Sequence, residues 1–145
     1  MNLEIDDDQR LIRDSFARIL DDLSSMDRVR AAQAAGFDRE LWTGLAGLGA
    51  FAMRVDEARG GLGMGTFDAA VIMEEAGRTL ASGPLAEALM AARLISELGG
   101  EIGPETLGKV IEGSSVATIA FEDIARQPVQ WLAGGRAAEI AVARN

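Results

Sequence analysis

The sequence predicts a mainly α fold: a helical bundle over residues 1–113, followed by the first strands of an incomplete β domain over 114–145. Three observations carry this expectation. Up to residue 113, apolar residues recur at helical spacing in successive segments bounded by capping acids, prolines and glycines. Beyond Gly113 the pattern shifts to short β-branched runs. The chain has no cysteine, so packing alone must organise it.

The first helix opens on Asp6 and Gln9, a capping box with Asp in place of Ser or Thr; Asp7 and Asp8 suit its positive end. Leu11, Ile12, Phe16, Ile19, Leu20 and Leu23 form its stripe, with Arg10, Arg13, Asp14, Arg18 and Asp22 on a solvated face. A short second helix runs from Asp27 to Ala35 and stops at Gly36. Asp38 caps a third, striped by Leu41, Trp42, Leu45 and Leu48. Ala50 to Val55 reads as strand-like or extended, and four glycines between Gly60 and Gly65 mark a tight loop. Thr66 caps a long helix to Leu80. Pro84 opens the next, which carries Leu85, Leu89, Ala92, Ile95 and Leu98 and ends at Gly99-Gly100. Pro104 opens the last, ended by Gly113. The expected core comprises Phe16, Ile19, Leu20, Leu41, Trp42, Leu45, Val71 and Leu89, with Met64, Met73 and Met90 as filler. Ser115 to Phe121 reads as a strand. Val129–Leu132 and Glu139–Arg144 read as a hairpin turned at Gly134-Gly135.

Composition excludes several chemistries. Without histidine or cysteine there is no Ser-His-Asp or Cys-His nucleophile, no thiolate zinc site and no histidine proton shuttle. The 23 acids against 14 basic residues, of which only Lys109 is a lysine, argue against nucleic acid. The uncharged stretch from Leu41 to Met53 is too short to span a bilayer, and the acidic start is unlike a targeting peptide, so no membrane and a cytoplasmic location are expected.

The glycine loop invites comparison with a phosphate cradle. Gly61-x-Gly63 continues to Thr66 where a dinucleotide fingerprint needs its third glycine, and no Gly-Lys-Ser/Thr follows, so a structural turn is the better reading. Glu74 and Glu75 point about 100° apart on their helix; a solvated face or a contact with Arg78 outranks a general acid/base pair. Glu122-Asp123 closes the strand-like run, where a loop carboxylate can function. No catalytic residue and no metal ligand set is assigned.

In order and separation, the segments resemble the N-terminal part of the FAD-dependent acyl-CoA dehydrogenases. The residues that carry the resemblance are Ile5 to Asp14, Phe37-Asp38-Arg39-Glu40-Leu41-Trp42, Leu45-Ala46-Gly47-Leu48-Gly49, Gly60-Gly61-Leu62-Gly63, Glu74-Glu75, Ala91–Gly99 and Glu112-Gly113. The resemblance implies an α-helical domain, a middle β domain and C-terminal helices. It implies dehydrogenation of an acyl-CoA to the enoyl-CoA with hydride transfer to FAD, reoxidation by an electron-transfer flavoprotein, and assembly as a homo-oligomer or with a partner subunit. It puts Leu85 and Leu89 on the wall of the acyl slot, and Phe121, Glu122 and Asp123 at flavin-contacting positions. Glu122 stands where most members have threonine, and an anion there disfavours a ring that gains electrons. The alternative is therefore a non-catalytic scaffold subunit that has lost flavin. The base lies in the family's C-terminal helices, so these 145 residues alone are expected to be inactive and to associate through the open edge at Glu139–Arg144.

Overall fold

The computed structural model describes residues 5–98 and 104–144. Six α-helices are followed by two short strands: α1 Asp7–Leu23, α2 Met26–Ala32, α3 Arg39–Gly47, α4 Thr66–Arg78, α5 Leu85–Leu98, α6 Pro104–Ile111, β1 Ala117–Ile119 and β2 Ile140–Val142. The expected stop at Gly99-Gly100 lies outside the described residues.

α1 starts on the capping box: Gln9 N donates to Asp6 Oδ1 at 2.8 Å and Asp6 N to Gln9 Oε1 at 3.1 Å. The Gln9 amide also reaches across the fold, donating to Asp68 Oδ1 at 2.6 Å. The other oxygen of Asp68 accepts from Gly65 N at 2.6 Å, so one carboxylate ties the start of α1 to the start of α4. Gly65, not Thr66, occupies the cap of α4, and the helix ends at Arg78 rather than Leu80. The next turn closes through Ala81 N to Ala76 O, which forces Leu80 to φ +55°.

Asp38 caps α3 through Glu40 N and Leu41 N, and the Arg28 guanidinium of α2 grips it at 2.8 Å. Burial raises the Asp38 pKa most strongly as a single influence. The bonds from Arg28 and from the Leu41 and Glu40 N–H groups, with the Arg28 charge, together outweigh it and hold the carboxyl below its ordinary 3.8.

The main core gathers α1, α3, α4 and α5 around Trp42, which stacks on Phe51 at 4.2 Å. Two glycines lie close against Trp42: a Cβ at Gly83 would lie 3.3 Å from its ring, and one at Gly113 would lie 3.4 Å from its ring and 2.6 Å from Ala46 Cβ. Of the expected core stripe all but Ile19 are buried, Ile19 being half-buried against the cluster; of the expected filler, Met64 and Met73 are half-buried and Met90 is exposed. Leu11 is exposed, because α1 packs chiefly on α3 and α4 and Leu11 lies on its outer face. A second cluster joins α5, α6 and β1 through Ala92, Ile95, Val110 and Ile119.

Two strand expectations are corrected. Residues Ala50–Ala52 form a 3₁₀ turn, buried at all three positions, so their apolar run reflects burial on every side rather than strand alternation. The hairpin does not form. β2 pairs parallel with β1, Ala117 opposite Ile140, and the connection over 120–139 makes the crossover that a parallel pair requires. Gly134 does turn, at φ +61°, but it presses on Pro84, where a Cβ would lie 2.5 Å from the ring. The side chain of Gln130 bonds the Glu122 backbone instead of pairing as a strand.

Candidate functional site

A groove of about 610 Å³ opens between α4 and α5, within the usual range of roughly 300–1,000 Å³ for a small-molecule site. α4 contributes Thr66, Ala69, Ala70 and Met73, spaced i, i+3, i+4, i+7 on one face. α5 answers with Ala86, Leu89, Met90, Arg93 and Leu94, also on one face. The end of β1, Ile119 to Phe121, makes the floor, and Arg54 closes one end. The space exists because α4 is held by α1 while α5 is held by β1, α6 and the 50–52 turn. Ala69, Ala70, Ala86 and Ala120 then leave the gap unfilled.

The glycine loop sets the Arg54 end, and it is not a phosphate cradle. Every N–H from Gly60 to Gly65 is already engaged: Gly60 to Glu57 O, Gly61 to Asp56 O, Leu62 to Ala52 O, Gly63 to Val55 O, Met64 to Met53 O, and Gly65 to Asp68. No donors remain for a phosphate. Gly60 and Gly63 adopt positive φ, and Gly61 is glycine because the Val55 carbonyl occupies the place of its Cβ. Arg54 Nη1 donates to Met64 O, and Arg93 Nη1 donates to Arg54 O at 3.2 Å. Both guanidiniums are thereby fixed at the groove.

The candidates from sequence separate. Leu89 lines the groove. Leu85 does not: it is buried and borders a smaller hollow of about 320 Å³, which meets the groove at Met73 and Ala86. Phe121 lies on the groove floor and is 67% exposed. Glu122 and Asp123 lie beyond it. Glu122 exchanges both backbone hydrogen bonds with the Gln130 side chain, while Asp123 takes Ala125 N at 2.9 Å and faces Arg144 at 3.6 Å. The N–H groups of Ala120, Glu122, Ile124 and Ala125 are spent internally, whereas those of Phe121 and Asp123 find no acceptor among the described residues and stay open to a flavin. Glu75 pairs with Arg78 at 2.7 Å. Among the described residues, no carboxylate lines the groove and no acidic cluster could hold a metal.

Arg54, Ala70 and Arg93 carry no signal in the sequence reading, which takes Met90 for core filler. Met90 is 42% exposed on the groove rather than core filler. The signal was an apolar arc on α5 too wide for one buried face: Met90 and Leu94 fall beside the stripe of Leu85, Ala88, Leu89, Ala92 and Ile95.

The profile of the acyl-CoA dehydrogenase N-terminal domain matches residues 6–113. The acyl-CoA dehydrogenase IpdE2 of Mycolicibacterium smegmatis is 30% identical over 142 residues, 96% of this chain and 43% of its own length. Benzylmalonyl-CoA dehydrogenase of Aromatoleum aromaticum is 30% identical over 127 residues, 85% of this chain and 34% of its own. The chain thus spans less than half the length of these curated relatives. Among solved structures, a variant of the Tcur3481-Tcur3483 steroid ACAD superposes with a TM-score of 0.72 at 33% identity, covering 80% of this chain and 33% of that one. The ChsE4-ChsE5 complex of Mycobacterium tuberculosis gives the same TM-score at 22% identity, over 85% of this chain and 35% of that one, a likeness of fold.

Proposed function

Because the chain belongs to the acyl-CoA dehydrogenase family, we propose that it supplies one wall of the acyl slot in an enzyme that converts an acyl-CoA to its enoyl-CoA. In this reading residues 1–113 are the helical domain and 114–145 begin the middle β domain. FAD, when bound, accepts the hydride, which no side chain can do. At 120–125 the N–H groups of Phe121 and Asp123 remain to donate to it, and the base belongs to the C-terminal helices that the family carries. An electron-transfer flavoprotein reoxidises it. The enzyme works in the cytoplasm, in keeping with a cysteine-free sequence. Among the described residues no helix is long and apolar enough to cross a membrane.

The observation that carries this reading is the groove itself: apolar, preformed, floored by Phe121 and walled by Leu89. Its alanine-lined width favours bulky, ring-bearing acyl groups over straight chains, and the similarity to the steroid ACAD and to benzylmalonyl-CoA dehydrogenase points the same way. Ala70→Phe in the enzyme tests it. Ala70 is exposed on the groove, so the substitution fills space without entering the core. The kcat/KM for ring-bearing acyl-CoAs should fall much further than for butyryl-CoA; an equal loss for both refutes the assignment. Assembly as a homo-oligomer or with a partner subunit fits Val129 and Trp131, which are 85% and 93% exposed.

The locking of Glu122 to Gln130 favours a second reading, a scaffold subunit without flavin. The purified protein's visible absorbance separates them: a flavin band supports the enzyme, and its absence after incubation with FAD supports the scaffold.

A further inference from the structure

The groove has a polar end that an ordinary hydrocarbon chain does not need. The chain carries 23 acids against 14 basic residues, yet the charged side chains on the groove are two arginines, Arg54 and Arg93. Arg93 is neutralised by Glu97 at 2.5 Å. Among the described residues Arg54 has no carboxylate within ion-pair range, and its one acceptor is the Met64 carbonyl. The guanidinium is half-buried beside apolar surface, where an unpaired charge is costly and a matching anion is favoured.

Antiparallel α4 and α5 give the groove its polarity. Arg54 bonds the residue two before the start of α4 and receives the bond from Arg93 late on α5, while Met73 and Ala86 meet at the opposite end. One end is therefore cationic and the other apolar. The net charge at the cationic end is a single positive one on a planar fork, which suits one carboxylate; the phosphates of CoA carry several charges and call for a cluster of basic residues.

Resting on the acyl-CoA reading, we propose that Arg54 binds a carboxylate carried on the body of the acyl group, so that the substrate is a carboxyl-bearing acyl-CoA. Arg54 is a specificity-determining residue in this scheme and takes no part in bond breaking.

The test is calorimetric titration of the protein with cyclohexylpropanoyl-CoA, its ring-carboxylated counterpart, and free cyclohexylpropanoate. The wild type should bind the carboxylated thioester about tenfold more tightly than the plain one. Arg54→Gln should abolish that preference, and Arg54→Lys should keep part of it. Thr66→Asp guards against misfolding of Arg54→Gln. It puts a carboxylate on the groove in the first turn of α4, where an acid is tolerated, and should erase the preference while the plain thioester still binds. Equal affinity for the two thioesters, with equal loss in Arg54→Gln, assigns Arg54 to the CoA phosphates and overturns the proposal. Unchanged affinities in Arg54→Gln and Thr66→Asp overturn it as well. If neither thioester binds while the free acid binds in an Arg54-dependent way, the acyl-CoA reading fails and carboxylate recognition stands.

Discussion

Gly61→Ala is the sharpest probe of the glycine loop, because the obstacle is backbone and cannot step aside. An added Cβ would lie 2.0 Å from Val55 O, 2.3 Å from Val55 C and 2.5 Å from Val55 Cβ. Ordinary contact begins near 3.4 Å, so the two strands of the loop must part by more than 1 Å. That movement breaks the bonds from Gly63 N to Val55 O, 2.8 Å, and from Gly61 N to Asp56 O, 3.0 Å. Two backbone hydrogen bonds at about 0.5–1.5 kcal/mol each, with about 1–3 kcal/mol for overpacking, give a loss of about 2–6 kcal/mol. A loss of that size is a large share of the stability of about 5–15 kcal/mol usual for a domain. Gly108→Ala is the matched control. Gly108 lies inside α6 with nothing within 4 Å of its Cβ position, so alanine there should stabilise by about 0.5–1 kcal/mol. Urea unfolding of both variants measures the contrast. A Gly61→Ala midpoint equal to wild type refutes the close approach and, with it, the reason Arg54 is held at the groove.

Three further outcomes follow from individual side chains. Leu80 holds φ +55° with its side chain 57% exposed, so Leu80→Gly removes strain without removing packing and should stabilise by about 1 kcal/mol; a thermal midpoint no higher than wild type contradicts this. Asp38 titrates below its ordinary 3.8 in the folded state, so its contribution is complete above that value and is lost as pH falls through the lower folded value. The stability advantage of wild type over Asp38→Asn should accordingly be full at neutral pH and close under acid, and a pH-independent difference would show that the Arg28 grip does not operate. Asp68→Ala releases both Gln9 and Gly65 and should cost about 1–2 kcal/mol, with non-additive behaviour in the double variant with Gln9→Ala; strictly additive losses would mean the link between α1 and α4 does not form.

The helical part was legible because each helix carries its own signals within a few residues: Asp6 with Gln9, Asp38, Pro84 and Pro104 for starts, Gly36, Gly49 and Gly113 for stops. Expectations failed where structure depends on distant partners. Ala50–Ala52 reads as a strand because a segment buried on all sides has no period to betray a 3₁₀ turn. Gly134-Gly135 has hairpin chemistry, yet the turn packs on Pro84, which lies far away in sequence, and β2 passes on to lie parallel to β1. The site suffered the same way. Leu85 and Leu89 share a stripe in the sequence, and only the divergence of α4 from α5 decides that Leu89 borders the groove while Leu85 borders the smaller hollow. Arg54 carried no local signal at all; its position is set by the Met64 carbonyl ten residues on.

The groove is thus a property of topology before it is a property of its lining. α4 is fastened to α1 along the main core and again through Gln9 and Asp68, so it cannot lean toward α5 without breaking a capping network. α5 is fastened on its other side to β1 and α6 by the second cluster. Two helices anchored to different neighbours keep a gap beside the core that they share through Ile72, Ala76, Ala88 and Leu89, and the alanines at 69, 70 and 86 face that gap rather than the core. Widening or narrowing the gap by substituting those alanines should therefore change what binds without changing how the bundle folds. That separation of fold from specificity allows one helical scaffold to serve acyl groups of different shape.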